Sequence, residues 1–273
     1  MPELPEVEVT RRGIAPRLTG QPVRACRVRE GRLRWPVPPV LARVLPGETI
    51  LAVRRRAKYL LLETAAGTLW IHLGMSGSLR LLTTPEAPGR HDHVDLECRD
   101  VTLRYNDPRR FGAFLWQPVG GPLPLPRGDA HAWGHEPLEA GFSGEVLWAG
   151  TRERRTAIKG VLLAGDVVAG VGNIYASEAL FRAGIHPQRS AQRIGRLRYD
   201  RLAQAIREVL QEAIAQGGST LRDFVDSGGQ PGYFQQAHQV YGRTGLPCVR
   251  CGAAIRQLRQ GQRSTWYCAR CQR

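Results

Sequence analysis

Four cysteines near the end of the chain, in two Cys-x-x-Cys pairs, constrain the fold more than any other feature. Cys248 and Cys251 form the first pair, sixteen residues follow, and Cys268 and Cys271 form the second. Two such pairs at this separation are typical of a tetrahedral four-thiolate zinc site. We therefore predict one structural Zn²⁺, because four protein ligands leave no open position for catalysis. The intervening segment Arg256–Tyr267 is predicted to form the hairpin of a zinc ribbon.

The chain is strongly basic. It has 39 Lys and Arg against 24 Asp and Glu, a net charge of +15. Polyanions suit such a surface, and nucleic acid is the first candidate. A membrane is the weaker candidate, since no basic amphipathic helix, lipidation signal or run of about 18 apolar residues is found. The cysteine-bearing tail shares the bias and predicts a nucleic-acid surface, with plain solvated charge as the alternative; its arginines are Arg250, Arg256, Arg259, Arg263, Arg270 and Arg273.

Nothing in the sequence marks export. The first residues are acidic and no apolar run follows them, which is unlike a secretory signal. We expect a cytoplasmic protein, in which cysteines are reduced or metal-bound. Cys26 and Cys98 lie outside the zinc set and are predicted to be buried apolar residues. With no oligomerisation signal visible, we expect a monomer.

The first half of the chain predicts short strands separated by turns. The candidates are Ile50–Glu63, Thr68–Leu82, His93–Cys98, Thr102–Tyr105 and Phe111–Trp116. Turns are expected at Ala66-Gly67 and at Arg99-Asp100. Several short strands of this kind favour an antiparallel sandwich.

The second half changes character. Residues 117–150 are rich in Gly and Pro, which predicts a connection between domains. A helix is predicted over Tyr199–Gln216, ended by Gly217-Gly218. Its apolar face comprises Leu202, Ile206, Val209, Leu210, Ala213 and Ile214. The sequence GVGNIYASEAL predicts a tight turn followed by a helix capped by Asn173. Such a helix N-terminus can bind phosphate, although the motif alone is weak.

The opening sequence MPELPEVEV has two interpretations. Proline and glutamates are favoured in the first turn of a helix, so Pro2, Glu3 and Glu6 could simply begin one. Alternatively, proline in second place makes the initiator Met easy to remove. The resulting secondary amine, with a chain-terminal pKa near 7.7–8.0, could attack a carbonyl-like carbon and form an iminium.

The chain resembles the formamidopyrimidine-DNA glycosylase family. The motifs that carry the resemblance run through the chain in the family's order: MPELPEVE, RAKY at 56–59, HLGMSG at 72–77, HDH at 91–93, DPRRFG at 107–112, Lys159, GVGNIYASE, GGQPGYF and the four cysteines. It implies an α+β fold: an N-terminal β-sandwich with a catalytic N-terminal helix, a helix-two-turn-helix domain and a zinc-finger β-hairpin. The boundaries expected are 1–133 for the catalytic sandwich, 134–150 for a linker, 151–235 for the helical domain and 236–273 for the zinc finger.

The resemblance also implies an activity on double-stranded DNA containing oxidised purines, 8-oxoguanine and formamidopyrimidines. The Pro2 amine would attack C1′ of the damaged nucleotide, expel the base and hold the sugar as an iminium, with β- and δ-elimination following. Glu3 would handle protons as the sugar ring opens, and Glu6 would support the site. Lys58 and Arg263 match proton-donor positions, with phosphate anchoring as the competing role for Lys58.

A base must leave the duplex to be excised, and the gap must be filled. By resemblance, Met75 enters the gap, Arg109 faces the orphaned cytosine and Phe111 wedges beside it. The loop over 219–234 would close on the extruded base. The remaining DNA-contacting positions, with Lys159 as a support of the active site, are His72, His91, Arg154, Lys159 and Asn173.

Two rival hypotheses remain at this stage. The related endonuclease VIII branch prefers oxidised pyrimidines, but its members usually open MPEGPE and lack the set of Met75, Arg109 and Phe111. A zinc-ribbon protein that only binds nucleic acid fits the composition equally well. That rival leaves the combination of Pro2, Glu3 and Lys58 unexplained.

Overall fold

The computed structural model describes residues 2–124, 133–219 and 237–273, which form two compact units. The first unit combines residues 2–124 with 216–219, and the second combines 133–215 with 237–273. The segment at 134–150, predicted as a linker, is folded into the second unit. Its Gly134 and His135 N–H groups donate to the carbonyls of Gly165 and Val167.

Helix α1, Leu4–Leu18, opens the first unit and confirms the predicted N-terminal helix. Pro5 lies in its first turn, where a missing N–H costs nothing. The backbone N–H of Glu3 donates to Glu6 Oε2 at 2.8 Å, which satisfies a donor that the helix itself leaves unpaired. Val7 and Ile14 are fully buried and fix the helix against the sheets.

Two four-stranded antiparallel sheets follow. In chain order the elements are β1 Val23–Val28, the short helix α2 Leu41–Val44, β2 Ala52–Arg56, β3 Tyr59–Glu63, β4 Gly67–His72, β5 Ser78–Leu82, β6 Asp92–Cys98, β7 Thr102–Asn106 and β8 Ala113–Pro118. One sheet has the order β1-β6-β7-β5 and the other β2-β3-β4-β8. Buried residues from both sheets join a single apolar core, which makes the unit the predicted sandwich.

Alternation along the strands explains the layered core. Leu60 and Leu62 of β3 are buried, while their neighbours are partly exposed, as a period of two requires. The predicted runs 50–63 and 68–82 are each two strands, not one. They divide at Ala57-Lys58 and at residues 73–77, and both interruptions carry predicted site residues. The β6–β7 hairpin around Arg99-Asp100 is as predicted.

The second unit begins with helices. They are α3 Gly144–Thr151, α4 Ile158–Ala164, α5 Asn173–Arg182, a 3-10 turn Ala191–Arg193 and α6 Arg196–Ala215. The six apolar residues predicted for one face of α6 are all buried. Gly217 and Gly218, with φ of 75° and 83°, end the helix as predicted. The cap of α5 was predicted wrongly: Gly172 is the N-cap and Asn173 is the first helical residue, because Gly172 has the extended conformation that a cap requires.

The C-terminal hairpin confirms the predicted ribbon. Strands β9, Arg256–Gln260, and β10, Arg263–Tyr267, pair antiparallel around a two-residue turn. Cys26 and Cys98 are buried in the sandwich core, as expected for cysteines outside the ribbon. Across the described ranges, no helix has both the length and the apolar character to cross a membrane.

Candidate functional site

The N-terminus of α1 holds the first group of predicted site residues. Pro2 and Glu3 are buried, and Glu6 is 1% exposed. Each oxygen of the Glu6 carboxylate accepts one backbone N–H, from Glu3 at 2.8 Å and from Ser219 at 2.8 Å. Glu6 therefore ties the residue after Pro2 to the start of the segment at 219–234. The closing loop was predicted over 219–234, and all of it after Ser219 lies outside the described part of the chain.

Glu8 is a residue that sequence reasoning missed. Its carboxylate accepts hydrogen bonds from Arg11 and Arg12 on α1 and from Arg55 on β2. Burial alone opposes ionisation, but the arginines outweigh it and lower the pKa of the Glu8 carboxyl. This cluster clamps the helix that carries Pro2 onto β2. The spacing of Glu8 from Arg11 and Arg12 at i+3 and i+4 is the signal that would have found it.

Lys58 lies in the two-residue turn between β2 and β3. The turn closes directly between the paired residues Arg56 and Tyr59. Ala57 adopts φ of 52°, which is uncommon for a residue other than glycine. A turn of this length needs positive φ at its centre, so the backbone presents Lys58 at the cost of local strain.

His72, at the end of β4, is a neutral hydrogen-bond acceptor. Burial lowers the pKa of its imidazole to about 3, and the positive charges of Lys58 and Arg34 act in the same direction. Its Nδ1 accepts the backbone N–H of Gly74 at 3.0 Å. The ring therefore orders the loop that follows β4, and at neutral pH it has no positive charge to offer a phosphate.

Met75, Arg109 and Phe111 form an exposed wedge on the first unit. Met75 is 37% and Phe111 44% exposed, although both are large and apolar. The Arg109 guanidinium carbon lies 4.9 Å from the centre of the Phe111 ring, in a cation–π arrangement. Gly74 has φ of 64°, and a β-carbon there would overlap the backbone of Phe111 and Gly112. Only glycine lets the two loops approach this closely.

Asp107 lies beneath this wedge and is completely buried. Its Oδ1 accepts the Ser76 hydroxyl at 2.6 Å, and its Oδ2 accepts the Tyr105 hydroxyl and the Gly112 N–H, each at 2.9 Å. The Arg109 N–H approaches Oδ1 at 3.3 Å. The DPRRFG motif contains this residue, but composition and spacing alone gave it no role.

His91 is half-buried beside this group. Its carbonyl accepts the Asp107 N–H at 3.0 Å. The His91 and His93 rings lie 6.3 Å apart, and His93 Nε2 lies 2.8 Å from the Asp107 carbonyl oxygen. The predicted DNA-contacting histidine thus adjoins the loop that carries Arg109.

In the second unit, two predicted residues converge on the ribbon. Lys159 is 1% exposed, and its ammonium donates to Thr265 Oγ1 at 2.8 Å and to the Ser264 carbonyl at 3.3 Å. Asn173 Nδ2 donates to the same carbonyl at 3.1 Å. Both side chains anchor β10 directly after Arg263, which is exposed at the tip of the hairpin. The Lys159 side chain therefore contacts the ribbon and is not exposed to solvent.

Two further arginines are engaged by the protein. Arg154 pairs with Asp166 at 2.6 Å while 37% of its side chain stays exposed. Arg250 donates to the carbonyls of Phe181 and Arg182 at the end of α5, and stacks on the Phe181 ring. Arg250 therefore caps a helix, so part of the basic character of the tail is structural.

The four cysteines fit the zinc ion that their spacing predicts. Their sulfur atoms lie within 4.8 Å of one another. Cys248 and Cys271 Sγ are 3.8 Å apart, and Cys251 and Cys268 Sγ are 3.5 Å apart. Four thiolates about 2.3 Å from a tetrahedral zinc are separated by roughly 3.8 Å, so the cluster has the dimensions of a closed structural site.

Together these features define a class: a β-sandwich with a capped N-terminal helix, followed by a helical unit that ends in a zinc ribbon. Family models match all three parts. They are the formamidopyrimidine-DNA glycosylase N-terminal domain over residues 1–114, the formamidopyrimidine-DNA glycosylase H2TH domain over 133–225, and a zinc finger found in FPG and IleRS over 245–273.

Relatives match over the full length. The formamidopyrimidine-DNA glycosylases of Alkalilimnicola ehrlichii and Herminiimonas arsenicoxydans are 57% and 56% identical, each covering 100% of both chains. Among solved structures, the Lactococcus lactis protein in complex with DNA containing an abasic site is 36% identical, with a TM-score of 0.90 and 99% of both chains covered. The Thermus thermophilus protein is 39% identical, with a TM-score of 0.85 over 99% of this chain and 98% of that one. The chain belongs to the formamidopyrimidine-DNA glycosylase family.

Proposed function

We propose that this protein is a bifunctional DNA glycosylase and abasic-site lyase of base excision repair, which removes oxidised purines from double-stranded DNA. The observation that carries the proposal is the N-terminal site. Pro2 directly precedes Glu3, and the Glu6 carboxylate holds the Glu3 backbone in place through a 2.8 Å hydrogen bond. Family membership and the net charge of +15 support duplex DNA as the substrate.

The proposed reaction begins with the Pro2 amine, which attacks C1′ of the damaged nucleotide. The base leaves with the electrons of the glycosidic bond and takes up a proton. The Pro2 nitrogen loses its proton as the bond to C1′ forms. Glu3 then transfers a proton to the ring oxygen of the sugar as the C1′–oxygen bond breaks, which leaves an iminium between Pro2 and C1′. Because the proline ring fixes φ, the nucleophile keeps its direction through these steps.

The adduct then undergoes β-elimination and δ-elimination, which break the strand on both sides of the lost nucleoside. Lys58 and Arg263 serve as proton donors in these steps. The strained turn that presents Lys58 and the anchored hairpin tip that presents Arg263 support this assignment. Lys58 as a phosphate anchor alone is the alternative role.

Extrusion of the damaged base leaves a gap that the wedge of Met75, Arg109 and Phe111 fills. Met75 and Phe111 are both exposed, on two loops that approach closely at Gly74, which supports this role because side chains of this kind can wedge between bases. The Arg109 guanidinium offers donors to the orphaned cytosine. His91, Arg154 and Asn173 are proposed to lie near phosphates, and His72 to order the loop that carries Met75.

Zinc, when bound, supplies only structure: the four thiolates fix the hairpin that carries Arg263. We also propose that the protein acts as a monomer. Because the substrate is chromosomal DNA, we place the protein in the cytoplasm, on the nucleoid.

The first test uses a duplex with one 8-oxoguanine opposite cytosine, with borohydride present during the reaction. Borohydride reduces the iminium and locks protein to DNA. We expect a crosslinked band that maps to Pro2 and is lost in Pro2→Gly. If zinc-loaded protein with a processed N-terminus gave no crosslink to this duplex or to an abasic duplex, the chain would be a DNA-binding protein without chemistry.

A further inference from the structure

The wedge is built on two separate loops, and the structure shows what joins them. Met75 lies between β4 and β5, while Arg109 and Phe111 lie between β7 and β8. Neighbouring loops on a sandwich need a fixed link if their side chains are to act as a unit, because loops are the mobile parts of a fold.

We infer that Asp107 is a positioning residue: its buried carboxylate locks the 73–77 loop to the 107–112 loop, and so holds Met75, Arg109 and Phe111 as one rigid wedge. This inference rests on the proposed function, in which the wedge fills the gap left by the damaged base.

The hydrogen bonds of Asp107 support this role because they reach both loops and strand β7. Ser76, which donates to Oδ1 at 2.6 Å, directly follows Met75. Gly112, which donates to Oδ2 at 2.9 Å, directly follows Phe111. Tyr105 adds its hydroxyl from β7 at 2.9 Å. One carboxylate therefore meets the residues next to both apolar members of the wedge.

The chemistry of the group explains why a carboxylate is needed. An ionised carboxylate accepts through two oxygens with about four lone pairs, which matches the donors that converge on it. An amide of the same shape accepts through one oxygen only and presents an NH₂ group to the remaining donors. Since Asp107 is fully buried, water cannot replace a lost partner, and the loops must move instead.

The backbone shows that this arrangement is fixed tightly. Arg110, between the two wedge residues of its loop, has φ of 57°, which is uncommon for a residue other than glycine. A β-carbon on Gly77 or Gly112 would collide with the Tyr105 hydroxyl. A strained backbone persists only where its surroundings hold it. The Arg110 N–H donates to the Asp107 carbonyl at 3.2 Å, and its guanidinium pairs with Glu30 at 3.2 Å.

The test measures single-turnover excision of 8-oxoguanine opposite cytosine. We expect Asp107→Asn to slow excision about 10- to 100-fold, the range that corresponds to buried hydrogen bonds left unmade. Asp95→Asn is the matched control, because Asp95 is also a buried carboxylate of this sandwich but bonds to Arg104 instead. Within the described residues, Asp95 makes no hydrogen bond to either wedge loop, so we expect the excision rate of Asp95→Asn to stay within about threefold of the wild-type rate. A tenfold change in this rate would correspond to about 1.4 kcal/mol at the transition state.

Combination with Met75→Ala separates positioning from general destabilisation. If Asp107 acts through the wedge, Asp107→Asn should cost much less in a chain that already carries Met75→Ala, Arg109→Ala and Phe111→Ala. An undiminished loss in that background would overturn the inference. Ser76→Ala deletes the 2.6 Å bond to Asp107 and the longer 3.3 Å bond that the Ser76 hydroxyl accepts from the Arg109 N–H, and it leaves the Asp107 carboxylate in place. It keeps the proposal testable if Asp107→Asn fails to fold, and its effect should likewise disappear in the chain that carries Met75→Ala, Arg109→Ala and Phe111→Ala.

A second readout does not depend on catalysis. A duplex with a stable tetrahydrofuran abasic analogue, and 2-aminopurine beside it, reports insertion of the wedge as a rise in fluorescence. We expect the wild type and Asp95→Asn to give the rise and Asp107→Asn to give a smaller one at saturating protein. Equal fluorescence from the wild type and Asp107→Asn would overturn the inference about Asp107 but not the proposed function. Failure of the wild type to excise any oxidised purine would instead overturn the proposed function.

Discussion

Each compact unit contains a fully buried carboxylate that accepts backbone N–H groups, and the two carboxylates organise very different surroundings. Asp107 draws donors from loops and a strand of the sandwich, including Ser76 and Tyr105. Glu178, on α5, accepts three consecutive N–H groups from Gln239, Val240 and Tyr241, the chain that leads into the ribbon. The first carboxylate joins separate elements, whereas the second fixes one short segment.

The sandwich and the ribbon also differ in the size of their apolar cores. The sandwich, which contains Asp107, has a large apolar cluster that draws on both sheets. The cluster at the ribbon consists of Phe181, Val240, Cys248, Ile255 and Cys268, so two of its members are zinc ligands. A region this small cannot bury enough apolar surface to stay folded, which explains why hydrogen bonds suffice in the sandwich and a metal is needed in the ribbon.

Removal of zinc is therefore expected to have the largest effect. Structural zinc contributes about 10–16 kcal/mol to small zinc-finger peptides, so Cys268→Ala or chelation should unfold the ribbon. The sandwich should keep its own unfolding transition. Calorimetry, with zinc content measured in parallel, would show one transition lost and one retained.

Cys98→Ala provides the control for this experiment. Cys98 is also buried but lies in the sandwich core, so the substitution should leave zinc content unchanged and lower only the sandwich transition. Loss of both transitions on chelation would contradict the separation between a metal-dependent and a metal-independent region.

Glu178→Ala is expected to have the next largest effect. It leaves three N–H groups without this acceptor, of which the Val240 N–H is buried and the other two are partly buried. The cost is about 1–3 kcal/mol for each group that finds no water. Unfolding of the second unit should therefore become easier by a few kcal/mol while zinc stays bound. Glu212→Ala is the control, because Glu212 is half-exposed and water can take its place at Arg182, so the loss should be about 1 kcal/mol.

Several structural elements of both units could be predicted from the sequence. The zinc ribbon follows from cysteine spacing, and the face of α6 follows from the period of its apolar residues. Both signals are local, since each is carried by residues within one helix or one hairpin. The opening helix was predicted for the same reason, from its prolines and glutamates.

The interactions that hold the site were not predictable, because their partners are distant in sequence. Glu6 and Ser219 are 213 positions apart, and no local pattern joins them. The break at Ala57 was missed because alanine rarely adopts positive φ and so gives no turn signal. Composition alone would place Met75 and Phe111 in the core. Only the family resemblance indicated their exposure.

Acid should lower the free energy of unfolding of the sandwich. The pKa of His72 is about 3 in the fold against about 6.5 unfolded, so the unfolded chain binds more protons between these values. Stability should be constant above about pH 7 and fall as the pH decreases, by about 2 kcal/mol between pH 7 and pH 5 from this group.

His72→Asn tests that expectation. Asparagine can still accept the Gly74 N–H but does not titrate, so the slope of stability against pH should become shallower in the sandwich transition. His238 contributes in the same direction in the second unit, because burial lowers its pKa to about 4. An unchanged slope in His72→Asn would mean that the pKa of this imidazole is the same in the fold as in the unfolded chain.

Ala57→Gly should have the smallest effect on stability. It measures how much strain the turn at Ala57 adds to the sandwich, whose described residues form no cluster that could hold a metal. Positive φ costs a residue with a β-carbon about 1–2 kcal/mol, and the added freedom of glycine in the unfolded chain returns about 0.5–1 kcal/mol of that. We expect the sandwich to gain up to about 1 kcal/mol, seen as a higher melting temperature. Ala52→Gly, on β2, should instead destabilise it, because that position is ordinary strand. If the strained turn directs Lys58, Ala57→Gly should also slow strand cleavage while it raises stability. A gain in both would show that the strain has no part in the chemistry.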